Sequence, residues 1–186
     1  MKEQIKETIQ RLKKGQVILY PTETVWGIGC DATNFDAIAK IYAIKQREET
    51  KSMICLVSDI KMLQFYVENV PEAAYNILKF ANKPTTIIYD QPKNVAENVV
   101  AEDNTVGIRI IKQGFAHQLI KAYGKPIVST SANISGQPTP KSFNEISQDI
   151  LTAVDYVVNL PKQKSSGQPS AIIKLSNDGM VKVIRS

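Results

Sequence analysis

Short apolar runs and amphipathic stretches take turns along the whole of this chain, and that alternation restricts it to a sheet covered by helices. Ile5, Ile9 and Leu12 recur at helical spacing, and Gly15 stops the helix before the run Gln16 to Tyr20, which reads as a buried strand. After a loop from Pro21 to Thr33, Ile38, Ile41 and Tyr42 mark a second helix, and Met53 to Val57 a second strand. Ser58-Asp59 can cap a helix ending near Val67, and Pro71 suits the first turn of another that runs to Phe80. Thr85 to Tyr89, Thr105 to Ile110 and Pro126 to Thr130 read as strands, with a helix from Phe115 to Tyr123 stopped by Gly124. Ser142-Phe143-Asn144-Glu145 has the form of a capping box and starts a helix through Leu151. Val154 to Val158, Ser170 to Leu175 and Met180 to Ile184 complete the strands, the last pair joined by Asn177-Asp178-Gly179. The expected fold is α/β, a twisted mixed sheet flanked by helices and ending in an antiparallel hairpin.

No internal repeat and no dividing linker interrupt the chain, so residues 1–186 read as a single domain, with Pro161 to Pro169 as the best mobile loop. The net charge of +5 favours polyanions such as nucleotides, phosphates or RNA, against the plainer reading of a solvated basic surface. Cys30 and Cys55 lack CxxC spacing and His117 is the single histidine, so no zinc site is expected; both thiols suit buried positions in a reducing compartment. Met1 to Gln4 opens an amphipathic helix rather than a leader, and no stretch of about 18 apolar residues occurs. The expectation is a cytoplasmic chain that does not enter a membrane.

Polar loops beside strands mark where ligand crevices of α/β sheets form. Pro21-Thr22-Glu23-Thr24-Val25-Trp26-Gly27 leaves the first strand with hydroxyls, a carboxylate and an indole. Gly27-x-Gly29-x-x-Ala32 fits the dinucleotide fingerprint only formally, since that motif needs a tight strand-to-helix turn, so no NAD site is expected. Lys45 and Arg47 can converge on a polyphosphate, the arginine as a fork and the lysine as a point charge. Ser129 to Gly136 masses hydroxyls and an amide after an apolar strand, where phosphate, ribose or a carboxylate can bind, and Ser165 to Ser170 is a further polar run. The plain alternative for each is an ordinary polar turn. The sequence has no Gly-x-x-x-x-Gly-Lys-Ser/Thr phosphate loop, and His117 sits on an expected helix far from any nucleophile elbow.

Taken together, Pro-Thr-Glu-Thr-Val-Trp-Gly at 21–27, Lys45-x-Arg47, Ser131-Ala132-Asn133 and Ser-Gly-Gln-Pro-Ser at 166–170 resemble the hallmarks of the YrdC/TsaC family of threonylcarbamoyl-AMP synthases. The resemblance implies a YrdC-like sheet with an open basic cavity and a nucleotidyltransferase that joins L-threonine, bicarbonate and ATP, with Mg2+, and releases pyrophosphate. A separate tRNA-modifying transfer complex then makes N6-threonylcarbamoyladenosine at position 37 of tRNAs reading ANN codons. Carried over by motif, Lys45 and Arg47 take the phosphates and the charge of the leaving pyrophosphate, and Asn133 and Ser135 take the nucleotide. Thr22, Arg109, Ser131 and Ser170 take the threonine, while the metal ligands stay unassigned. Trp26 stands where the family usually has tyrosine, Lys51-Ser52-Met53 where many members have His-Pro-Leu, and Lys83-Pro84-Thr85-Thr86 where many have Gly-Pro-x-Thr.

The implied chemistry suits a chain poor in histidine, because adenylation by a carbamate moves few protons and mainly needs fixed cations. The carbamate and the mixed anhydride decompose in water, so the 161–169 stretch is expected to act as a lid. Rival readings are a carbamoyl-phosphate-dependent carbamoyl-adenylate enzyme, as in hydrogenase maturation proteins, and a non-catalytic double-stranded RNA-binding protein.

Overall fold

The computed structural model describes residues 1–48, 53–161 and 169–186. Among these, the expected alternation becomes one nine-stranded mixed sheet in the order β7-β1-β2-β6-β3-β5-β4-β8-β9. The strands are β1 (Ile18–Pro21), β2 (Trp26–Asp31), β3 (Ile54–Val57), β4 (Thr85–Asp90), β5 (Thr105–Ile110), β6 (Ile127–Ser131), β7 (Tyr156–Val157), β8 (Ala171–Leu175) and β9 (Val181–Arg185). The helices are α1 (Lys2–Lys13), α2 (Phe35–Lys45), α3 (Ile60–Tyr66), α4 (Glu72–Phe80), α5 (Gly114–Tyr123) and α6 (Gln148–Ala153). Local signals start and stop these helices. Asn34 caps α2 by accepting from the Ala37 amide at 3.0 Å, Asp59 caps α3 by accepting from the Met62 amide at 2.9 Å, and Gly124 ends α5 at a φ of 78°.

Among the described strands three neighbouring pairs are parallel (β7 with β1, β3 with β5, β4 with β8) and the rest antiparallel, and β8–β9 forms the expected terminal hairpin. Strand period puts alternate residues on opposite faces, and each face has its own core. Leu19, Ile28, Cys30, Cys55, Val57 and Ile87 share one with Ile38, Ile41 and Tyr42 of α2. Ile18, Tyr20, Leu56 and Ile127 share the other with Leu12 of α1 and Phe115, Leu119 and Ile120 of α5. Leu119 has no exposed surface, so truncating it to alanine costs about 2–5 kcal/mol in lost transfer energy and residual cavity.

The structure departs from the sequence reading in three places. The segment from Pro21 to Thr33 contains β2, which pairs antiparallel with both β1 and β6. Its glycines face neighbours that leave no room for a side chain: a Cβ on Gly29 would land on the Val128 carbonyl and within 2.7 Å of the Tyr20 ring. The capping box does not form: Ser142 Oγ donates to Glu145 Oε1 at 3.1 Å and caps no backbone amide, the segment makes only a 3-10 turn, and Ser147 caps the α-helix that follows. Pro71 stands at the N-cap of α4 rather than inside its first turn. Residues 162–168 of the 161–169 stretch read as a lid lie outside the described residues, as do Lys51 and Ser52.

Candidate functional site

A cavity of about 350 Å3 opens on the sheet face that α1 and α5 share, past the end of their apolar core. Strand β6 shows the changeover: Ile127 packs in the core, while Ser129 and Ser131, on the same face by strand period, line the cavity. Thr86 and Ile88 of β4, Gly107 and Arg109 of β5, and Ile172 of β8 extend its floor, and Ile54 of β3 stands at the border. Gly107 adds no side chain to that floor; a Cβ there would sit in ordinary contact, 3.5 Å from Thr86 Cγ2. Thr22, Thr24 and Val25 form one wall, Arg47 and Thr139 lie at other sides, and Pro169, Ser170 and Arg185 close the far end.

Arg109 is the buried cation of this floor, 5% exposed, with its Nε 3.2 Å from Glu23 Oε1. Burial lowers the guanidinium's pKa while Glu23 and Tyr20 raise it, and burial pushes the Glu23 carboxyl up against the pull of Arg109. An arginine keeps its charge under such a shift, so the pair places a positive fork beside a carboxylate under a polar cavity. Beneath them Tyr20 has no exposed surface, and burial raises its phenol while Ser129 and Arg109 pull it down. The phenol oxygen makes no hydrogen bond among the described residues, so Ser129 is its neighbour only.

Thr22 spends its hydroxyl on local architecture. Its Oγ1 donates to the Val25 carbonyl at 2.7 Å and accepts from the Thr24 and Val25 amides at 3.2 Å each, closing the turn between β1 and β2. Its methyl lies towards Gly27, where a Cβ would come within 3.5 Å. At the opposite end Ser170 is 2% exposed, with its Oγ 2.9 Å from Thr86 Oγ1, while Arg185 Nε donates to the Ser170 carbonyl at 2.8 Å.

Lys45, in the last turn of α2, is 2% exposed, and its Nζ donates to the Ser131 and Asn133 carbonyls at 2.6 Å each. Burial first, and the nearby Arg47 second, lower its pKa to about 8. The lysine therefore braces the loop that follows β6. The same loop is tied back by the Ser135 amide, which donates to the Lys45 carbonyl at 2.8 Å. Asn133 donates through Nδ2 to the Ile134 and Gln137 carbonyls, while its buried Oδ1 has no partner among the described residues.

Of the residues singled out by sequence, the structure brings Thr22, Arg47, Arg109, Ser131 and Ser170 to the cavity. Lys45, Asn133 and Ser135 are not among its lining residues and sit in the adjoining brace. The sequence reading placed Ser129 in a candidate binding segment without giving it a role, and named neither Thr86 nor Arg185 as site residues. Arg185 lies in the last strand with no motif around it. Among the described residues no three His, Cys, Asp or Glu side chains come together as a metal site, and no helix is long and apolar enough to cross a membrane. Cys30 and Cys55 are buried free thiols and His117 Nδ1 lies 2.7 Å from the Ile111 carbonyl, so all three have structural surroundings.

Fold and cavity together define an α/β protein with guanidinium and hydroxyl groups gathered in a cavity at one face of its sheet. The chain belongs to the Sua5/YciO/YrdC family, whose model, described as "Telomere recombination", matches residues 10–186. It is similar to the threonylcarbamoyl-AMP synthase of Pseudoalteromonas translucida, 35% identical over 90% of this chain and 91% of that one. The threonylcarbamoyl-AMP synthase of Buchnera aphidicola is 31% identical over 96% of each. Among solved structures, Pyrococcus abyssi Sua5 complexed with L-threonine superposes with a TM-score of 0.83 at 26% identity; the match covers 92% of this chain and 50% of that longer one.

Proposed function

We propose that residues 1–186 form one catalytic domain that makes L-threonylcarbamoyladenylate from L-threonine, bicarbonate and ATP, releasing pyrophosphate. The observation that carries this reading is the convergence of Thr22, Arg47, Arg109, Ser131 and Ser170 on one cavity in a chain of this family. The neutral amine of threonine attacks the carbon of bicarbonate, giving a carbamate and water. A carbamate oxygen then attacks the α-phosphate of ATP, forming the mixed anhydride and expelling pyrophosphate. Arg109 and the hydroxyls at the cavity's two ends orient the amino acid, while Arg47 meets the phosphates.

Lys45 keeps the Ser131–Asn133 loop in place for the nucleotide and adds positive charge behind it. Mg2+ arrives bound to the nucleotide, because such ions are held largely by phosphates and water and Glu23, the carboxylate nearest Arg109, is already engaged with it. The product serves N6-threonylcarbamoyladenosine formation on tRNA by a separate transfer complex in the cytoplasm.

The test measures pyrophosphate release with each substrate omitted in turn. Dependence on both threonine and bicarbonate is expected, with kcat/KM for threonine reduced about a hundredfold in Arg109→Ala, as befits losing one partner of a buried charge contact. Release indifferent to threonine refutes the reading, and RNA binding without turnover turns it towards a binding module.

A further inference from the structure

Thr86 is buried to 0% exposure in the floor of the cavity, and its hydroxyl lies 2.9 Å from Ser170 Oγ. No water reaches that hydroxyl, and among the described residues Ser170 is its only acceptor within hydrogen-bond distance. If Ser170 donated to Thr86, the Thr86 proton would be buried without an acceptor, which is strongly unfavourable. The bond therefore runs from Thr86 to Ser170. Arg185 also approaches this oxygen, its Nη2 donating weakly at 3.5 Å while its Nε donates to the Ser170 carbonyl at 2.8 Å. A hydroxyl carries one proton and two acceptor positions, so with both acceptor positions facing donors the Ser170 proton is left for the cavity that Ser170 lines.

We propose that Thr86 is a positioning residue which, together with Arg185, fixes Ser170 as a hydrogen-bond donor into the cavity, where it reads an anionic oxygen, the carboxylate of the amino-acid substrate. The assignment rests on the threonine reading of this site and adds to it the direction of a bond. Register holds the arrangement in place: β4 and β8 run parallel with Thr86 opposite Ile172, and the Ala171 amide donates to the Pro84 carbonyl at 2.9 Å. Ser170 thus enters the sheet at a fixed height beside Thr86. Without the Thr86 hydroxyl, one acceptor position of Ser170 Oγ has no donor and the contact that fixes the serine rotamer on that side is lost, so its proton is no longer held towards the cavity.

The experiment compares Thr86→Val, nearly the same shape without the hydroxyl, with Thr86→Ser, which restores it, in the threonine-dependent pyrophosphate assay. Thr86→Val is expected to raise KM for threonine about tenfold, the loss of one enforced charge-assisted bond, with KM for ATP and kcat within about twofold of wild type. Thr86→Ser returns KM for threonine to near its wild-type value. In a Ser170→Ala background Thr86→Val adds less than about twofold, because the two substitutions remove the same donor. A threonine KM unmoved by Thr86→Val, equal rises for threonine and ATP, or a full additional effect on top of Ser170→Ala each overturn the assignment. Should Thr86→Val fail to fold, Thr86→Ala is read in the same way. A wild type that binds threonine by calorimetry but turns nothing over sinks the activity reading alone, and threonine Kd then replaces KM; a wild type that binds no threonine overturns both.

Discussion

Replacing Lys45 with methionine keeps the side chain's length and apolar stem while removing its charge and its donors. The ammonium bridges the Ser131 and Asn133 carbonyls at 2.6 Å each, so the substitution touches the loop after β6 without opening a large void. The two carbonyls are not equivalent. That of Ser131 still accepts from the Asn133 amide at 2.9 Å, whereas the Asn133 carbonyl has no other partner among the described residues. Losing one charge-assisted bond to a group that keeps a partner costs about 1 kcal/mol, and stranding the second carbonyl costs about 1–3 kcal/mol more. Methionine escapes the desolvation that depresses the lysine pKa to about 8, which offsets part of this and leaves a net loss of about 1–2 kcal/mol.

For a chain of 186 residues that corresponds to a Tm lower by about 2–8 °C. The pH dependence supplies a second signature. Because the folded state lowers this pKa, the unfolded chain binds the proton more tightly, so wild-type stability from this group rises as pH climbs from about 8 towards the ordinary lysine value. Lys45→Met removes that rise. Denaturant unfolding at pH 7 and pH 9.5, with pyrophosphate release on the same samples, checks both. Unchanged stability at pH 7, or an unchanged difference between the two pH values, would refute the bracing role.

Two further outcomes follow from other parts of the sheet. Burial alone would raise the Asp31 carboxyl, but hydrogen bonds from Tyr123, Thr33 and Lys125 outweigh it and hold its pKa below the usual range. That stabilisation is present above the unfolded carboxyl's pKa near 4 and disappears as pH falls through the lower folded value, so Asp31→Asn should flatten the acid limb of a urea-unfolding pH series; equal acid loss in both proteins would show the carboxylate to be uninvolved. Gly29→Ala drives a methyl into the Val128 carbonyl and the Tyr20 ring, so a loss of about 2–4 kcal/mol in denaturant unfolding is expected, and a variant as stable as wild type would mean that β1 and β6 can spread.

Some helix ends were readable because short-range chemistry sets them, as with Asp59 and Gly124. Strand β2 escaped for a particular reason. Trp26, Ile28 and Cys30 supply a buried face at period two, but the glycines between them look like loop residues until Tyr20 and Ser129 are known to press against that side. At the site, the motifs around Thr22, Arg47, Ser131 and Ser170 pointed to the cavity. The pairing of Arg109 with Glu23 and the chain Thr86–Ser170–Arg185 did not show, because each joins strands far apart in sequence. Lys45 was legible as a cation but not as a brace, since its partners are backbone carbonyls that carry no residue-specific signal.

The changeover along β6 constrains how this chain can vary. Ile127, Ser129 and Ser131 lie on one face, and the strand is hydrogen-bonded on both sides, to β2 and to β3. Inserting or deleting a single residue upstream of Ser129 within the strand would turn core residues to the opposite layer and take both serines off the cavity face in the same event. Length variation among related chains is therefore expected to spare these five residues and to collect in segments with no ladder on either side, and drift at Val128, wedged between Cys30 and Cys55 on the neighbouring strands, should be limited to side chains of similar volume.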